Sequence, residues 1–215
     1  MNQNNYQNYV IKNGTFVGKF EEMYQNCTDP WEQSTRETFA SEKATAINQL
    51  KALQPRLVIE FGCGFGNFTS RIRTETGLET IGVDISKTAI EKAAIRHPEC
   101  KFITGDFSDF DFLMQLKPDA IVLSEVTWYI LEKLPDFLLF IKNNLPNTYI
   151  IHLLNIYPTD QQKYGREYFF DLPSILKYFN MNYIESGEVE KYLHGNCKRT
   201  FFLGRYAKLD DNYAL

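Results

Sequence analysis

Residues 57–67 read LVIEFGCGFGN. The apolar run Leu57 to Phe61 predicts a short buried strand. Gly62, Gly64 and Gly66 follow at every second position, which lets the chain turn tightly from this strand into a helix. Because glycine has no Cβ, the backbone N–H groups of such a turn can approach a ligand closely. The stretch therefore predicts a ligand-binding turn between a strand and a helix.

Acidic residues mark the ends of two later predicted strands. Asp84 ends the run Thr80–Asp84, 22 residues after Gly62, and Asp106 follows the run Lys101–Thr104. In an open parallel sheet, ligands bind beyond the carboxyl ends of the strands, where a carboxylate can accept hydrogen bonds from the hydroxyls of a ribose. Asp106 taken alone is as compatible with a turn or a helix cap. Together with the glycine turn, the two acids predict a nucleoside-binding edge.

The spacing of the glycines separates two classes of nucleotide cofactor. A dinucleotide-binding turn has the pattern G-x-G-x-x-G, which here would place Asn67 at the third glycine. The pattern present is E-x-G-x-G-x-G, with Glu60 two residues before the first glycine. An acid at that position suits a cationic amino group, which a nicotinamide dinucleotide lacks. The pattern therefore disfavours an NAD-dependent dehydrogenase.

Predicted strands and helices alternate along the chain. Seven strands are predicted, at 57–61, 80–84, 101–104, 119–124, 148–154, 183–190 and 199–206. Helices are predicted at about 30–53, 68–76, 87–96, 135–144 and 173–179, the first of them capped by Thr28 or Asp29. Nearly all-apolar strands in this arrangement predict an α/β fold, with a doubly wound, mostly parallel seven-stranded sheet covered by helices on both faces. The last two strands, with Gly195 between them, predict a C-terminal antiparallel hairpin.

The length of 215 residues predicts a single domain overall. Residues 1–53 are expected to form an N-terminal flap and helix, and residues 54–208 a Rossmann-like domain. The net charge of −4 argues against a nucleic-acid partner, because affinity for a polyanion depends on Lys and Arg. Apolar runs are too short to span a bilayer, and the first residues do not resemble a signal peptide, so no membrane partner and a cytoplasmic location are expected. The spacing of the four cysteines and three histidines predicts no metal site.

Four segments carry a resemblance to a known family. VIEFGCGFG (58–66), IGVDIS (81–86), ITGDF (103–107) and DAIVLSEVTWYI (119–130), in this order and spacing, resemble the class I S-adenosylmethionine-dependent methyltransferases. FEEMY (20–24) and DPWEQS (29–34), together with SEVTWYI, are similar more narrowly to the NodS-like group, whose namesake methylates an oligosaccharide amine. The resemblance implies S-adenosyl-L-methionine as cofactor and S-adenosyl-L-homocysteine as its product.

The same resemblance implies which residues hold the cofactor. Glu60 and the three glycines fall on the turn that holds the methionine part, and Asp84 falls on the ribose acid. The remaining contacts are predicted for the adenine and for the loop where cofactor and acceptor meet: Ile85, Asp106 and Phe107 for the first, Ser124 and Glu125 for the second. Tyr24 and Trp31 are expected on a flap over the sulfonium, where an aromatic face attracts a cation. Simple packing of the N-terminal segment is an equal alternative for these two residues.

Three side chains are candidates for catalysis. Glu125 is expected either to brace the cofactor's amino group or a neighbouring loop, or to act as a general base. His152, on the fifth strand of the predicted sheet, is a candidate for catalysis or for a structural role in the core. Tyr129 follows the motif loop with Trp128, and this pair is expected either to wall the acceptor pocket or to pack in the core.

The function predicted from these patterns is methyl transfer to a small molecule or a surface-polysaccharide precursor, on oxygen or nitrogen. A phosphate or phosphoramidate group is among the candidate acceptors, because its oxygen is already anionic and needs only positioning. A hydroxyl or ammonium must instead lose a proton near the transition state. The alternative from another class is a non-catalytic S-adenosylmethionine-binding regulator or partner subunit, since the motifs bind the cofactor and not the acceptor. The oligomeric state is left open.

Overall fold

A computed structural model describes residues 6–32, 40–158, 160–192 and 197–208. The strands in these ranges are β1 (Ile11–Lys12), β2 (Thr15–Phe16), β3 (Leu57–Phe61), β4 (Glu79–Asp84), β5 (Lys101–Thr104), β6 (Ala120–Ser124), β7 (Tyr149–Ile156), β8 (Asn182–Lys191) and β9 (Cys197–Arg205). β1 and β2 pair with each other, and the other strands form one seven-stranded sheet in the order β5-β4-β3-β6-β7-β9-β8.

The first five strands of the sheet are parallel, and β9 runs antiparallel to both β7 and β8. The strand order reverses at β3, which pairs with β4 on one side and with β6 on the other. In an open α/β sheet, this reversal leaves a crevice at the carboxyl ends of the two central strands. The topology therefore places the glycine turn, the loop after β4 and the loop after β6 around one crevice.

Helices cover both faces of the sheet. The α-helices in the described ranges are α1 (Gln7–Val10), α2 (Phe20–Asn26), α3 (Ser41–Leu53), α4 (Asn67–Thr76), α5 (Lys87–Arg96), α6 (Phe110–Leu116), α7 (Leu134–Asn144) and α8 (Leu172–Phe179). None of these helices has both the length and the apolar composition that crossing a bilayer requires.

Alternation along β3 divides its side chains between two cores. Ile59 and Phe61 pack with Phe137 of α7 on one face. Val58 packs with Ile47 of α3 on the other face. Because β3 is buried on both faces, all of its residues must be apolar or internally paired. The predicted fold class, a mostly parallel α/β sheet with a C-terminal antiparallel pair, is confirmed.

The first helix predicted from the sequence is wrong at its start. Pro30 and Trp31 lie in a turn, and Glu32 adopts a φ of +52°, so the backbone cannot continue as a helix there. The helix α3 begins at Ser41, after Ala40 at its N-cap, and Thr28 and Asp29 do not cap it. Residues 33–39 lie outside the described ranges. The division of the chain at residue 53 stays a prediction.

Two regions hold elements that the sequence did not predict. The N-terminal segment, expected as a flap, contains α1, the β1–β2 hairpin and α2. The helix α6 was missed between β5 and β6, although Asp109 caps it by accepting a hydrogen bond from the backbone N–H of Phe112. The predicted turn at Gly195 lies outside the described residues.

Candidate functional site

A cavity of about 460 Å³ lies at the carboxyl ends of β3, β4 and β6. This volume is in the range of small-molecule sites, about 300–1,000 Å³. Most of the predicted site residues line it: Tyr24, Trp31, Glu60, Gly62, Asp84, Ile85, Asp106, Phe107, Ser124, Glu125 and Tyr129. The predicted residues Gly64, Gly66 and His152 are not among its lining residues.

Packing against neighbouring side chains requires glycine at two positions of the turn after β3. Gly62 has a φ of +70°, and a Cβ added to it would lie 2.5 Å from Cγ2 of Val126 in the loop after β6. Gly66 has a φ of +77°, and a Cβ there would lie 2.5 Å from the ring of Phe102 on β5. Both distances are far below van der Waals contact, so neither position tolerates a side chain. The sequence explained these glycines by approach to a ligand, whereas the structure shows close approach to neighbouring side chains as well.

Glu60, on β3, is one of the residues that line the cavity. Its residue is buried, and its Oε2 accepts a hydrogen bond from Oγ1 of Thr69 on α4. The alternation of β3 directs Glu60 to the same face as Val58, which is why it meets α4. The Thr69 hydroxyl holds the carboxylate in place at the edge of the cavity.

Asp84 is held by the backbone on two sides. Its Oδ2 accepts from the N–H of Gly64 at 2.9 Å, and its Oδ1 accepts from the N–H of Ser86 at 2.9 Å. Burial raises the pKa of Asp84 to about 6, although the two N–H donors oppose the rise, and the charge of Glu21 adds to it. Since each carboxylate oxygen has two lone pairs, both retain capacity to accept a ligand hydroxyl.

Asp106 is engaged by a cation that the sequence did not predict. Its Oδ2 lies 2.6 Å from Nζ of Lys133, and its Oδ1 accepts from the backbone N–H and the hydroxyl of Ser108. Burial acts to raise the pKa of Asp106, but Lys133 and Ser108 outweigh it and the pKa is lowered. Asp106 is therefore ionised and already paired at the cavity wall.

The apolar surface beside Asp84 comes mainly from Ile85, which is 56% exposed. Phe107 also lines the cavity but is only 7% exposed, since its ring packs against Phe61 and Phe137. An adenine ring next to Asp84 would thus find a larger open apolar surface on Ile85 than on Phe107.

Glu125 lies in the loop after β6, next to Ser124. Its φ of +59° is in the left-handed region, which is strained for a residue with a side chain. Its Oε2 accepts a hydrogen bond from the backbone N–H of Asn155 at 3.2 Å, which braces this loop against β7. Burial raises the pKa of Glu125 to about 7, with the charge of Glu42 adding to the rise. The carboxyl group therefore titrates close to neutral pH while facing the cavity.

An aromatic wall, formed by Phe20, Tyr24, Trp31 and Tyr129, closes the cavity on the side of the N-terminal segment. Nε1 of Trp31 donates to the hydroxyl of Tyr24 at 2.8 Å. The ring centroid of Tyr129 lies 5.5 Å from that of Trp31 and 5.6 Å from that of Phe20. Trp128, the neighbour of Tyr129, also lines the cavity, while its ring packs on that of Phe169 in the core.

His152 lies inside the core and not at the cavity. Its ring centroid is 4.8 Å from those of both Phe179 and Phe202, and its Nε2 is 2.8 Å from Oγ1 of Thr127. Burial lowers the pKa of His152 to about 3, so the ring is neutral. His152 is not among the described residues that line the cavity, so it lies away from the candidate cofactor and acceptor sites.

A comparison with protein families matches residues 58–145 to the methyltransferase domain family. Residues 58–145 are thus similar to methyltransferase domains. The match covers the glycine turn, Asp84, Asp106 and Glu125, and it confirms the resemblance to class I S-adenosylmethionine-dependent methyltransferases. S-adenosylmethionine, the predicted cofactor, is the cofactor of that class.

One similar curated protein is the trans-aconitate 2-methyltransferase of Klebsiella pneumoniae, with 32% identity over 83 residues. The aligned part is 36% of this chain and only 33% of that enzyme's length.

Solved structures share the fold of this chain at low sequence identity. The N-methyltransferase NodS of Bradyrhizobium japonicum in complex with S-adenosyl-L-homocysteine is 16% identical, with a TM-score of 0.62, and the match covers 86% of this chain and 97% of that one. The magnesium protoporphyrin IX methyltransferase of Synechocystis with bound S-adenosylmethionine is 18% identical, with a TM-score of 0.51, and the match covers 81% and 79%.

The structure also brings residues to the cavity that the sequence did not single out. They come from the N-terminal segment, α3, the loop before α7, β7 and the residue after it, and β9: Tyr6, Phe16, Phe20, Glu42, Lys43, Lys133, Asn155, Tyr157 and Arg199. Nη1 of Arg199 lies 2.9 Å from Oε2 of Glu42, and both side chains are buried. No local pattern marks these residues, although the aromatic content of the N-terminal segment hinted at its contribution.

Proposed function

We propose that the protein transfers a methyl group from S-adenosylmethionine to a small-molecule acceptor or a surface-polysaccharide precursor. The observation that carries this proposal is the single cavity that joins Asp84, at the end of β4, to Glu125, after β6. Cofactor and acceptor can therefore bind next to each other in one cavity. The match to the methyltransferase domain over residues 58–145 supports the same reaction.

The residues at one end of the cavity fit the cofactor. Glu60 and the turn at Gly62 would hold the charged methionine part, and Asp84 would accept the ribose hydroxyls. Ile85 would pack on the adenine, with Asp106 and Phe107 at its edge. When bound, the cofactor supplies the methyl group in an already activated form, so the protein's main task is alignment of the acceptor.

Glu125 is proposed as the group that receives a proton from the acceptor. A catalytic base works best when its pKa lies near the operating pH, and the pKa of Glu125 is raised to about 7. The hydrogen bond from Asn155 fixes the carboxylate at the cavity, so bracing and proton transfer are compatible roles. An ammonium or hydroxyl acceptor could then be methylated on nitrogen or oxygen after it loses its proton to Glu125.

The cavity walls favour an amine as the acceptor. An aromatic wall next to a carboxylate suits a cationic group, because the ring faces attract positive charge. The similar structure NodS is an N-methyltransferase, which agrees with this choice. A phosphate or phosphoramidate oxygen is the second candidate, since Lys43, Lys191 and Arg199 also line the cavity.

Two measurements test the proposal in sequence. Calorimetry should detect binding of S-adenosyl-L-homocysteine and no binding of NAD. Binding of NAD without binding of S-adenosyl-L-homocysteine would exclude the proposed methyl transfer. Release of S-adenosyl-L-homocysteine is then measured with amino sugars, sugar phosphates and phosphoramidates as acceptors. Turnover with amino sugars that Glu125→Gln abolishes supports an amine acceptor, whereas turnover with phosphates that this variant leaves unchanged supports an anionic oxygen. Cofactor binding with no turnover by any acceptor would favour the non-catalytic regulator.

A further inference from the structure

The carboxylate of Glu21, on α2, reaches the start of α5. Its Oε2 accepts from Oγ of Ser86 at 2.6 Å and from the backbone N–H of Thr88 at 3.2 Å. Its Oε1 accepts from Oγ1 of Thr88 at 2.6 Å and from Nε2 of Gln25 at 2.9 Å. Four hydrogen bonds thus hold one half-buried carboxylate, and the hydroxyls of Ser86 and Thr88 lower the pKa of Glu21 to about 2.

Ser86 is also the residue that holds Asp84. Its backbone N–H donates to Oδ1 of Asp84 at 2.9 Å, while its Oγ accepts from the N–H of Ala89 at 3.1 Å and so caps α5. A continuous set of hydrogen bonds therefore runs from Glu21 through Ser86 to Asp84. It continues from Asp84 to the glycine turn through the N–H of Gly64.

A second set of contacts keeps α2 against the same helix. Nζ of Lys92, on α5, donates to the backbone oxygen of Tyr24 at 2.5 Å. The ring of Tyr24 meets that of Phe65, in the glycine turn, at a centroid distance of 5.2 Å. These contacts attach α2 independently of Glu21. What the Glu21 carboxylate adds, besides its bonds from Thr88, is a hydrogen bond from the side chain of Ser86, the residue whose backbone N–H binds Asp84.

We infer that Glu21 is a positioning residue of the cofactor site, which fixes Ser86 and, through it, the carboxylate of Asp84. The inference rests on the proposed function, because Asp84 is the residue proposed to bind the ribose. It also gives the N-terminal segment a role besides covering the cavity, because Glu21 on α2 orients the carboxylate of Asp84 through Ser86.

A double-mutant cycle on cofactor-product affinity tests this role. Calorimetry measures the Kd of S-adenosyl-L-homocysteine for the unmodified protein, Glu21→Gln, Asp84→Asn and the double variant. Because a hydrogen bond to a charged group is lost, Glu21→Gln should weaken binding about fivefold to tenfold. In the Asp84→Asn background the same change should weaken binding less than about twofold, since interacting residues are not additive.

Glu22→Gln is the matched control. Glu22 lies on the same helix and loses the same charge, but its carboxylate is 53% exposed and pairs only with Lys19, at 2.9 Å, among the described residues. Its Kd should equal that of the unmodified protein. Circular dichroism and thermal melting check that each variant is folded. If Glu21→Gln does not fold, Thr88→Val takes its place, because it removes one donor to Glu21 and leaves the backbone contact.

The outcomes separate the inference from the function on which it rests. A smaller effect of Glu21→Gln, or of Thr88→Val, in the Asp84→Asn background supports the positioning role. Equal effects in both backgrounds, or no loss of affinity at all, overturn it while the proposed function stands. If the unmodified protein itself does not bind S-adenosyl-L-homocysteine, the proposed function fails and the inference fails with it.

Discussion

The backbone N–H of Gly64 and Oδ2 of Asp84 are joined by a buried hydrogen bond of 2.9 Å. This bond links the glycine turn after β3 to the end of β4, which are 20 residues apart in the chain. It orients the carboxylate before any ligand arrives, and preorganised groups bind more tightly because less ordering is left to be done. Asp84 is therefore both part of the framework of the cavity and part of its lining.

Asp84→Ala is expected to weaken binding of S-adenosyl-L-homocysteine at least about tenfold, because hydrogen bonds to a charged acceptor contribute about 1.5–3 kcal/mol each. Binding to the unmodified protein should also weaken as the pH falls through about 6, where Asp84 takes up a proton. Calorimetry between pH 5 and 8 measures both effects. Asp119→Ala is the control. Asp119 accepts a hydrogen bond from the backbone N–H of Leu57 at the amino end of β3, whereas the cavity lies at the carboxyl end of that strand. Equal affinities for the two variants would contradict the ribose role.

Glu125→Gln is expected to lower the rate of amine methylation by about 100-fold, in the range of general base catalysis. For the unmodified protein the rate should rise with pH through about 7, because only the ionised carboxylate can accept a proton. The variant should lose this rise. A pH–rate profile of the variant that keeps the same midpoint would assign the titration to another group.

The same substitution should change the pH dependence of stability. The pKa of Glu125 is raised by burial from 4.5 to about 7, so the folded state holds a proton that the unfolded state has released. The free energy of unfolding therefore falls as the pH rises from about 4.5 to 7. Glu125→Gln removes this contribution, and its melting temperature should decline less than that of the unmodified protein over this window. An equal decline of melting temperature with pH in the two proteins would argue against a buried, protonated Glu125.

His152→Gln is expected to leave the rate of methyl transfer within about threefold of the unmodified protein, since the residue makes no contact with the cavity. The amide can still pair with the hydroxyl of Thr127. Stability should fall, because the ring that stacks on Phe202 is lost. The unfolded imidazole takes up a proton as the pH falls below 6.5, whereas the folded one does so only near 3, so the unmodified protein loses stability across this window and the variant should lose less. A large fall in rate with normal stability would restore the catalytic reading of His152.

The N-terminal segment from about Phe20 to Trp31 is predicted to act as a lid over cofactor and acceptor. Deleting residues 1–31 would remove Met23 and Tyr24 from a cluster with Phe65, so it would expose core surface as well as open the cavity. A point substitution, Trp31→Ala, is therefore the sharper test of the lid. It should lower the transfer rate about tenfold or more, with a smaller effect on the Kd of S-adenosyl-L-homocysteine, because exclusion of water and ordering of the acceptor are lost.

Tyr192→Ala serves as the control for Trp31→Ala, since Tyr192 is an aromatic residue that is 75% exposed. Its rate should match that of the unmodified protein. Normal turnover by Trp31→Ala would show that the pair Tyr24 and Trp31 is ordinary packing.

The strand and turn of residues 57–67 were predictable because local pattern determines them. A five-residue apolar run with glycines directly after it favours a buried strand that turns sharply, and Asp84 and Glu125 lie where later strands end. The helix predicted from Pro30 failed for a different reason. Helix-starting residues were present, but the left-handed backbone of Glu32 turns the chain away, and local propensity does not foresee such a tertiary constraint.

The sequence alone determined the parallel α/β sheet, the location of the ligand site at the carboxyl ends of the strands, and the acids there. These features depend on hydrophobic periodicity and on the spacing from one strand end to the next. The tertiary structure alone pairs Glu21 with Ser86, 65 residues away, and Glu42 with Arg199, 157 residues away. It also buries His152 among phenylalanines and brings the aromatic wall over the cavity. These relationships join side chains that no local pattern connects, since they depend on how the N-terminal segment, α3 and β9 pack around the sheet.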